Sequence, residues 1–440
     1  MSDLPASETQ PPPQQPVRIS NPYEPGSPQM PFAGRAEAFT RLHQHLIDSQ
    51  AATLPPLYLG RRRIGKTALL QQVERMFDPE ETVAVYIPLR RVPLSDETRW
   101  LETLAQAIRH TIEERAYHAY LLPPLPGEGE MPEGGLRNWI HNDLLPAVFY
   151  AIRSQRRLVL LLDDADRLAQ ALESGALPAD HPGFLAGLLG RQLGMALTMD
   201  TLYEDHLSTL SPLVEVASTL RIGSLSPAAS VDVLAQCNLS EGALAAALGA
   251  AGGEPILLQR FGYHLFELGR TKTEPLTAND VKGVLPYVYT DSEGEFRETW
   301  ATLPRDERLV LTAISSLLYD NPLRAIDIAL IETWLVETDY PLDATTIIAA
   351  VRGLMYREIV TGAISTLKIP SGLMQRWLLE NAQLTPPAAA LTDLQERPRD
   401  WRGWVVVGVV VLVVIAAVMA ISLSGGGSAG TTIVPTVTLP

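Results

Sequence analysis

Lys66 and Thr67 lie in the stretch GRRRIGKTALL (Gly60 to Leu70), and with Gly60 and Gly65 they satisfy the spacing G-x-x-x-x-G-K-[ST]. The chemistry of that spacing is phosphate binding. Glycines allow the backbone to turn tightly enough for its N–H groups to surround an anion. The lysine then reaches the terminal phosphate oxygens as a point charge, the hydroxyl ligates Mg²⁺, and the next helix directs its positive N-terminal end at the anion. Gly60, Arg61, Arg62, Arg63, Ile64, Gly65, Lys66, Thr67 and Ala68 are therefore the candidate phosphate-binding residues. Ordinary residue frequencies would place the four fixed positions by chance in roughly one or two of a hundred chains of this length.

A phosphate loop needs an acidic partner at the end of a buried strand on the same sheet. LVLLLDDAD supplies one, since Asp163 directly follows the five aliphatics Leu158 to Leu162. Asp163 would hold Mg²⁺ through water, and Asp164 would polarise the attacking water. The two motifs together describe an ATP/ADP site with Mg²⁺, in which Lys66 and Asp164 carry the catalysis and Thr67 and Asp163 the metal.

The elements that must position these residues are legible from hydrophobic period. Short apolar runs at 57–59, 82–89, 158–162, 195–199 and 220–225 read as strands, separated by helical patterns such as 98–117 and 138–154. Strands alternating with helices predict βαβ units and a parallel sheet, hence an α/β P-loop fold. The expected domains are a Pro-rich, disordered or extended tail (1–28), the core (29–225) and an Ala/Leu-rich helical lid (226–294). A compact mixed unit (295–381) and a polar linker (382–403) follow. Residues 404–423 are 20 residues without a charge, which as a helix would span roughly 30 Å, the thickness of a bilayer's hydrocarbon core. Arg397, Arg399 and Arg402 precede this run and no Lys or Arg follows it. The positive-inside rule thus predicts a single-pass protein with its bulk in the cytoplasm and a short tail (424–440) across the membrane.

The 440-residue chain is 46% apolar and 19% charged, with a formal charge of −15. An acidic chain is a poor general coat for nucleic acid, which needs concentrated Lys and Arg. One cysteine, Cys237, excludes an internal disulfide.

The motifs FAGRAEAF, GRRRIGKTALL, LLLDDADRL and GGEPILL, in this order, resemble the STAND-type branch of the AAA+ ATPases, close to archaeal-type and Orc/Cdc6-like modules, over residues 30 to 380. The resemblance implies that Gly34 and Arg35 approach the adenine, with Ala36 where Glu is usual. It implies that Pro255 of Gly253-Glu254-Pro255 meets the base from the lid. It makes Thr198 the polar sensor, although Met199 and Asp200 stand where relatives carry Ser and Arg. Asp164 replaces the usual catalytic Glu, which implies slow turnover. The unit from Trp300 resembles a winged helix. It carries seven basic against ten acidic residues over 301–380, a balance that favours packing and signalling over DNA contact.

These expectations combine into a membrane-anchored, ATP-binding switch with slow ATPase activity and a protein partner or self-association. Two other readings are a membrane-tethered DNA-binding regulator using the winged helix and a nucleotide-binding scaffold without turnover. Arg61 to Arg63 read either as a solvated basic turn or as contacts to the γ-phosphate, the lid or the winged helix.

Overall fold

Five short runs form the strands of the sheet, β1 (Leu57–Gly60), β2 (Thr82–Pro88), β3 (Arg157–Asp163), β4 (Leu193–Asp200) and β5 (Thr219–Arg221). All four pairings are parallel and the order is β2-β3-β4-β1-β5. β4 thus stands between the strand that feeds the phosphate loop and the strand that carries Asp163. The computed structural model describes residues 20–27, 29–48, 55–115, 117–127, 132–153, 156–215, 219–321 and 324–382. The apolar run 404–423, most of the linker before it and the tail after it lie outside the described residues. Among the described residues no helix is long and apolar enough to cross a membrane.

Continuous apolar strands arise because both faces of the sheet are covered. Side chains alternate across a strand, so Leu158, Leu160 and Leu162 enter one core while Val159 and Leu161 enter the other. α1 (Ala36–His43) and α2 (Lys66–Met76) cover the second face through Leu42, Leu69, Leu70 and Val73. The first face is covered by α3 (Glu97–Glu114), α4 (Gly135–Trp139), α5 (Leu145–Ala151), α6 (Asp166–Glu173) and α7 (His181–Leu188). Where one helix is expected over 138–154, a π-helical turn at Ile140–Leu144 separates α4 from α5. Pro146, which has no N–H to donate, sits in the first turn after it. β5 is shorter than expected, because after Ile222 the chain leaves the sheet and Leu225 pairs with Gly253 (N···O 2.8 Å).

Where the lid is expected, four helices follow: α8 (Pro227–Leu234), α9 (Glu241–Ala251), α10 (Pro255–Gly269) and α11 (Ala278–Thr302). α11 runs unbroken through residues 294–295, where the lid and the next unit are expected to part. α12 (Arg305–Asp320), α13 (Ile328–Glu337), α14 (Ala344–Tyr356) and α15 (Gly372–Asn381) follow. Where a wing is expected, the pairing among described residues is one antiparallel bridge, Thr361 with Lys368, flanked by Leu367 N–H donating to Ile326 O at 3.1 Å. The expected tail also needs correction: Asn21 and Tyr23 are 5% and 1% exposed and pack on the lid. An aromatic that can bury its ring and satisfy its hydroxyl is driven inward whatever the composition around it.

A polar chain inside the first core fixes α3 against α7. His181, 1% exposed, accepts from Trp100 Nε1 at 2.8 Å, while its Nδ1 is 2.5 Å from Glu97 Oε1. Indole N–H only donates, so Nε2 must be bare and the imidazole neutral. Burial lowers its pKa, opposed by the Glu97 hydrogen bond. A lowered folded value means that the unfolded chain binds the extra proton first. This stability is therefore complete above about pH 6.5 and declines as pH falls from there toward the folded value. His181→Gln should flatten the fall in melting temperature between about pH 7 and 5. An unchanged slope would remove His181 from the acid sensitivity.

Candidate functional site

The phosphate loop leaves β1 at Gly60 and enters α2 at Lys66. Gly65 has φ +99°, a conformation that a side chain resists. Arg63 is also left-handed, at φ +62°, and a non-glycine residue stays there only when its surroundings hold it. Its guanidinium pairs with Glu295 of α11. Lys66 is 6% exposed and donates to Gly60 O (2.7 Å) and Arg61 O (2.8 Å). One of its three N–H groups remains for an anion. Burial lowers the Lys66 pKa, and Asp200, Asp164, Asp163 and Asp166 act in the opposite direction.

Asp163, at the end of β3, is 2% exposed and collects three hydroxyls. Thr67 of α2 and Tyr86 of β2 each donate to Oδ2 at 2.7 Å, and Thr198 of β4 donates to Oδ1 at 2.5 Å. Burial, then Asp163, push the Tyr86 hydroxyl well above its ordinary pKa, so it remains a donor. The Thr198 hydroxyl also accepts from Asp164 N–H at 2.9 Å. Thr198 is completely buried and holds the acidic pair in place, away from the cavity lining. Asp164 sits at φ +62° and meets Arg90 Nε at 2.8 Å. Burial and then Asp163 raise its pKa, while Arg90 offsets this.

A cavity of about 420 Å³ opens over this machinery, within the usual range for small-molecule sites. Gly65, Lys66, Thr67, Asp164 and Arg90 form one part of its wall. Met30, Phe32, Leu225, Val233, Pro255 and Ile256 form a largely apolar part. This donor set fits a nucleotide. A buried cation and a helix N-terminus suit the phosphates, a Thr–Asp pair suits Mg²⁺, and an apolar slot suits a base. Arg35 lines the cavity and donates to Ile64 O at 2.9 Å, bracing the loop. Gly34 lies against Ala229 of α8, with no space for a side chain.

The arginine triplet belongs to a second arrangement. Arg61 donates to Glu254 Oε1 at 2.6 Å and lies 4.0 Å from Glu358 Oε2. Arg62 pairs with Glu298 and Arg63 with Glu295. Glu295 also accepts two bonds of 2.8 Å from Arg260. The reading of the triplet as a solvated turn is thus corrected: each arginine has a carboxylate beyond the core. A cavity of about 630 Å³ shares Arg62, Arg63, Arg90 and Ile256 with the first and is walled further by α11 and by Ile359, Ile369 and Met374. Tyr86, Arg90 and the four glutamates carry no motif signal, except that Glu254 lies inside the lid motif beside Pro255. Only the fold brings them to the loop.

Comparison with solved structures places this geometry in a known fold. A Walker-type ATPase of Pyrococcus abyssi matches with a TM-score of 0.52 at 17% identity, over 79% of this chain and 96% of that one. Cdc6p of Pyrobaculum aerophilum has a TM-score of 0.41 at 16% identity, over 83% and 99%. Aeropyrum pernix Orc1 in complex with DNA has 0.39 at 16% identity, over 82% and 96%. No protein-family model and no curated protein matches the chain. At these identities the likeness concerns architecture: the chain has the P-loop α/β fold of the Walker-type ATPase.

Proposed function

We propose that this chain is an AAA+-like, ATP-binding switch with slow hydrolysis, of the STAND type, in which the phosphate loop itself grips the lid. The observation that carries this reading is the triple pairing of Arg61, Arg62 and Arg63 with Glu254, Glu298 and Glu295. The residues that would surround the phosphates are the same ones that fasten α10, α11 and, through Glu358, the C-terminal unit. A change in occupancy or charge at the loop therefore acts directly on the lid. Thr67 and Asp163 are the residues that would hold Mg²⁺, which when bound neutralises phosphate charge. Lys66 binds and orients the phosphates, and Asp164, once released from Arg90, accepts a proton from the attacking water.

ADP would keep the core, lid and C-terminal unit closed, and ATP would release them for self-association or for a protein partner. The C-terminal unit is read as an acidic winged helix used for packing. The charge-free run 404–423 is read as the anchor that keeps the bulk of the chain on the cytoplasmic face and confines the molecules to a plane. The scaffold reading has one observation in its favour, the 2.8 Å ion pair that occupies Asp164.

Three measurements on the full chain test these roles. Lys66→Ala should weaken ATP and ADP binding by about a hundredfold, as expected for losing a buried charge-assisted contact; unchanged affinity would overturn the nucleotide reading. Asp164→Asn should slow ATP hydrolysis by about a hundredfold at unchanged ATP affinity, and a rate insensitive to this change would assign the scaffold instead. Glu295→Gln with Glu298→Gln should accelerate ADP release by roughly tenfold, because Arg62 and Arg63 lose the carboxylates that hold them to α11. Release at the wild-type rate would sever the grip from the switch.

A further inference from the structure

The segment Asn21–Tyr23, outside every motif, forms part of the wall beside the apolar slot. Tyr23 lines the cavity and seats its ring in a notch on α10. The notch exists because residue 262 is glycine: a β-carbon there would lie 2.3 Å from the Tyr23 ring. The Tyr23 hydroxyl donates to Val233 O at 2.7 Å. Asn21 Nδ2 donates to Tyr263 O at 3.0 Å and to Glu267 Oε1 at 2.9 Å. Held on both sides, the segment presents the Tyr23 carbonyl to the lid, where Gln259 Nε2 donates to it at 3.0 Å.

That bond decides which way the Gln259 amide faces. If the amide were reversed, its oxygen would meet the Tyr23 carbonyl oxygen, acceptor against acceptor. Oε1 and the second Nε2 hydrogen are therefore left over, a fixed acceptor beside a donor, and among the described residues neither has a hydrogen-bond partner. Gln259 lines the same cavity as the loop. It lies four residues beyond Pro255, on the same face of α10. A fixed acceptor beside an apolar slot matches an exocyclic amino group. Adenine carries that group where guanine carries a carbonyl oxygen.

We propose that Gln259, oriented by the Tyr23 carbonyl, selects an adenine over a guanine nucleotide in this pocket. The proposal rests on the nucleotide reading of the loop. Adenine's amino group and neighbouring ring nitrogen satisfy both groups, whereas guanine's O6 and N7 are both acceptors and leave Oε1 facing one of them. Sites built around a hydrogen bond reject the analogue that lacks its partner. Tyr23 is a positioning residue here, because it sets the amide's orientation and leaves the base contact to Gln259.

The test is calorimetric titration of the full chain with ATP and with GTP, each with Mg²⁺. Wild type should favour ATP by about tenfold or more. Gln259→Met, similar in length but without the acceptor, should bring ATP affinity down to the GTP level and leave GTP affinity unchanged. Tyr23→Phe keeps the ring in its notch and should retain the preference. Tyr23→Ala should reduce it in protein whose melting confirms folding. Equal binding of ATP and GTP by wild type, with both lost in Lys66→Ala, would overturn the specificity and leave the pocket standing. An equal fall for both nucleotides in Gln259→Met would make Gln259 structural and also overturn it. Absence of binding by either nucleotide would overturn the pocket reading and this inference together.

Discussion

A carboxylate buried at the end of a strand must find donors or lose its charge, and Asp163 finds three. Thr67, Tyr86 and Thr198 come from α2, β2 and β4, so one side chain ties together the phosphate loop's helix and the strands on both sides of β3. The sheet order makes this possible. β4 lies between β1 and β3, which places the Thr198 hydroxyl beside Asp163 and its neighbour's N–H. Hydrogen bonds to an ionised acceptor are the strong class, and the acceptor here is only 2% exposed. The loop, the acidic pair and the cavity keep their relative positions because this carboxylate is shared.

A second layer of electrostatics links that centre to α10, α11 and the C-terminal unit. Exposed ion pairs contribute little, because solvent screens them and side-chain entropy opposes them. The loop's arginines are different where they are half-buried. Arg61 and Glu254 are 20% and 18% exposed, and Glu295, at 16%, is shared between Arg63 and Arg260. Removing one member of such a network leaves the other charges partly desolvated and unpaired, so the network breaks cooperatively. The centre is thus held by hydrogen bonds to one carboxylate, and the helices above it by ion pairs to the loop's arginines.

Much of this was legible in the residues. Four strands lie where unbroken apolar runs occur, because a strand buried on both faces leaves no room for polar alternation. The fifth was overextended, since Leu225 resumes the apolar run after Gly223 and Ser224, yet there the chain turns away toward Gly253. The loop and the acidic pair were visible because phosphate binding constrains residues adjacent in sequence. Asn21–Tyr23 was misread as tail because composition averages over a window, whereas burial of one tyrosine depends on a notch made by Gly262, far along the chain. Arg90, Tyr86, Gln259 and Glu298 were silent for the same reason. None has a local pattern, and each acquires its role from a partner on another element.

The division follows the range of the forces. Local sequence by itself determined the strands, the glycine loop and the order of the acidic residues, since backbone conformation and hydrophobic period act over a few positions. The tertiary structure decided which carboxylates the three arginines meet, that Asp164 is engaged by Arg90, and which way the Gln259 amide faces. Those are choices among many chemically equivalent partners, and only the packing of distant elements brings one of them within hydrogen-bond distance.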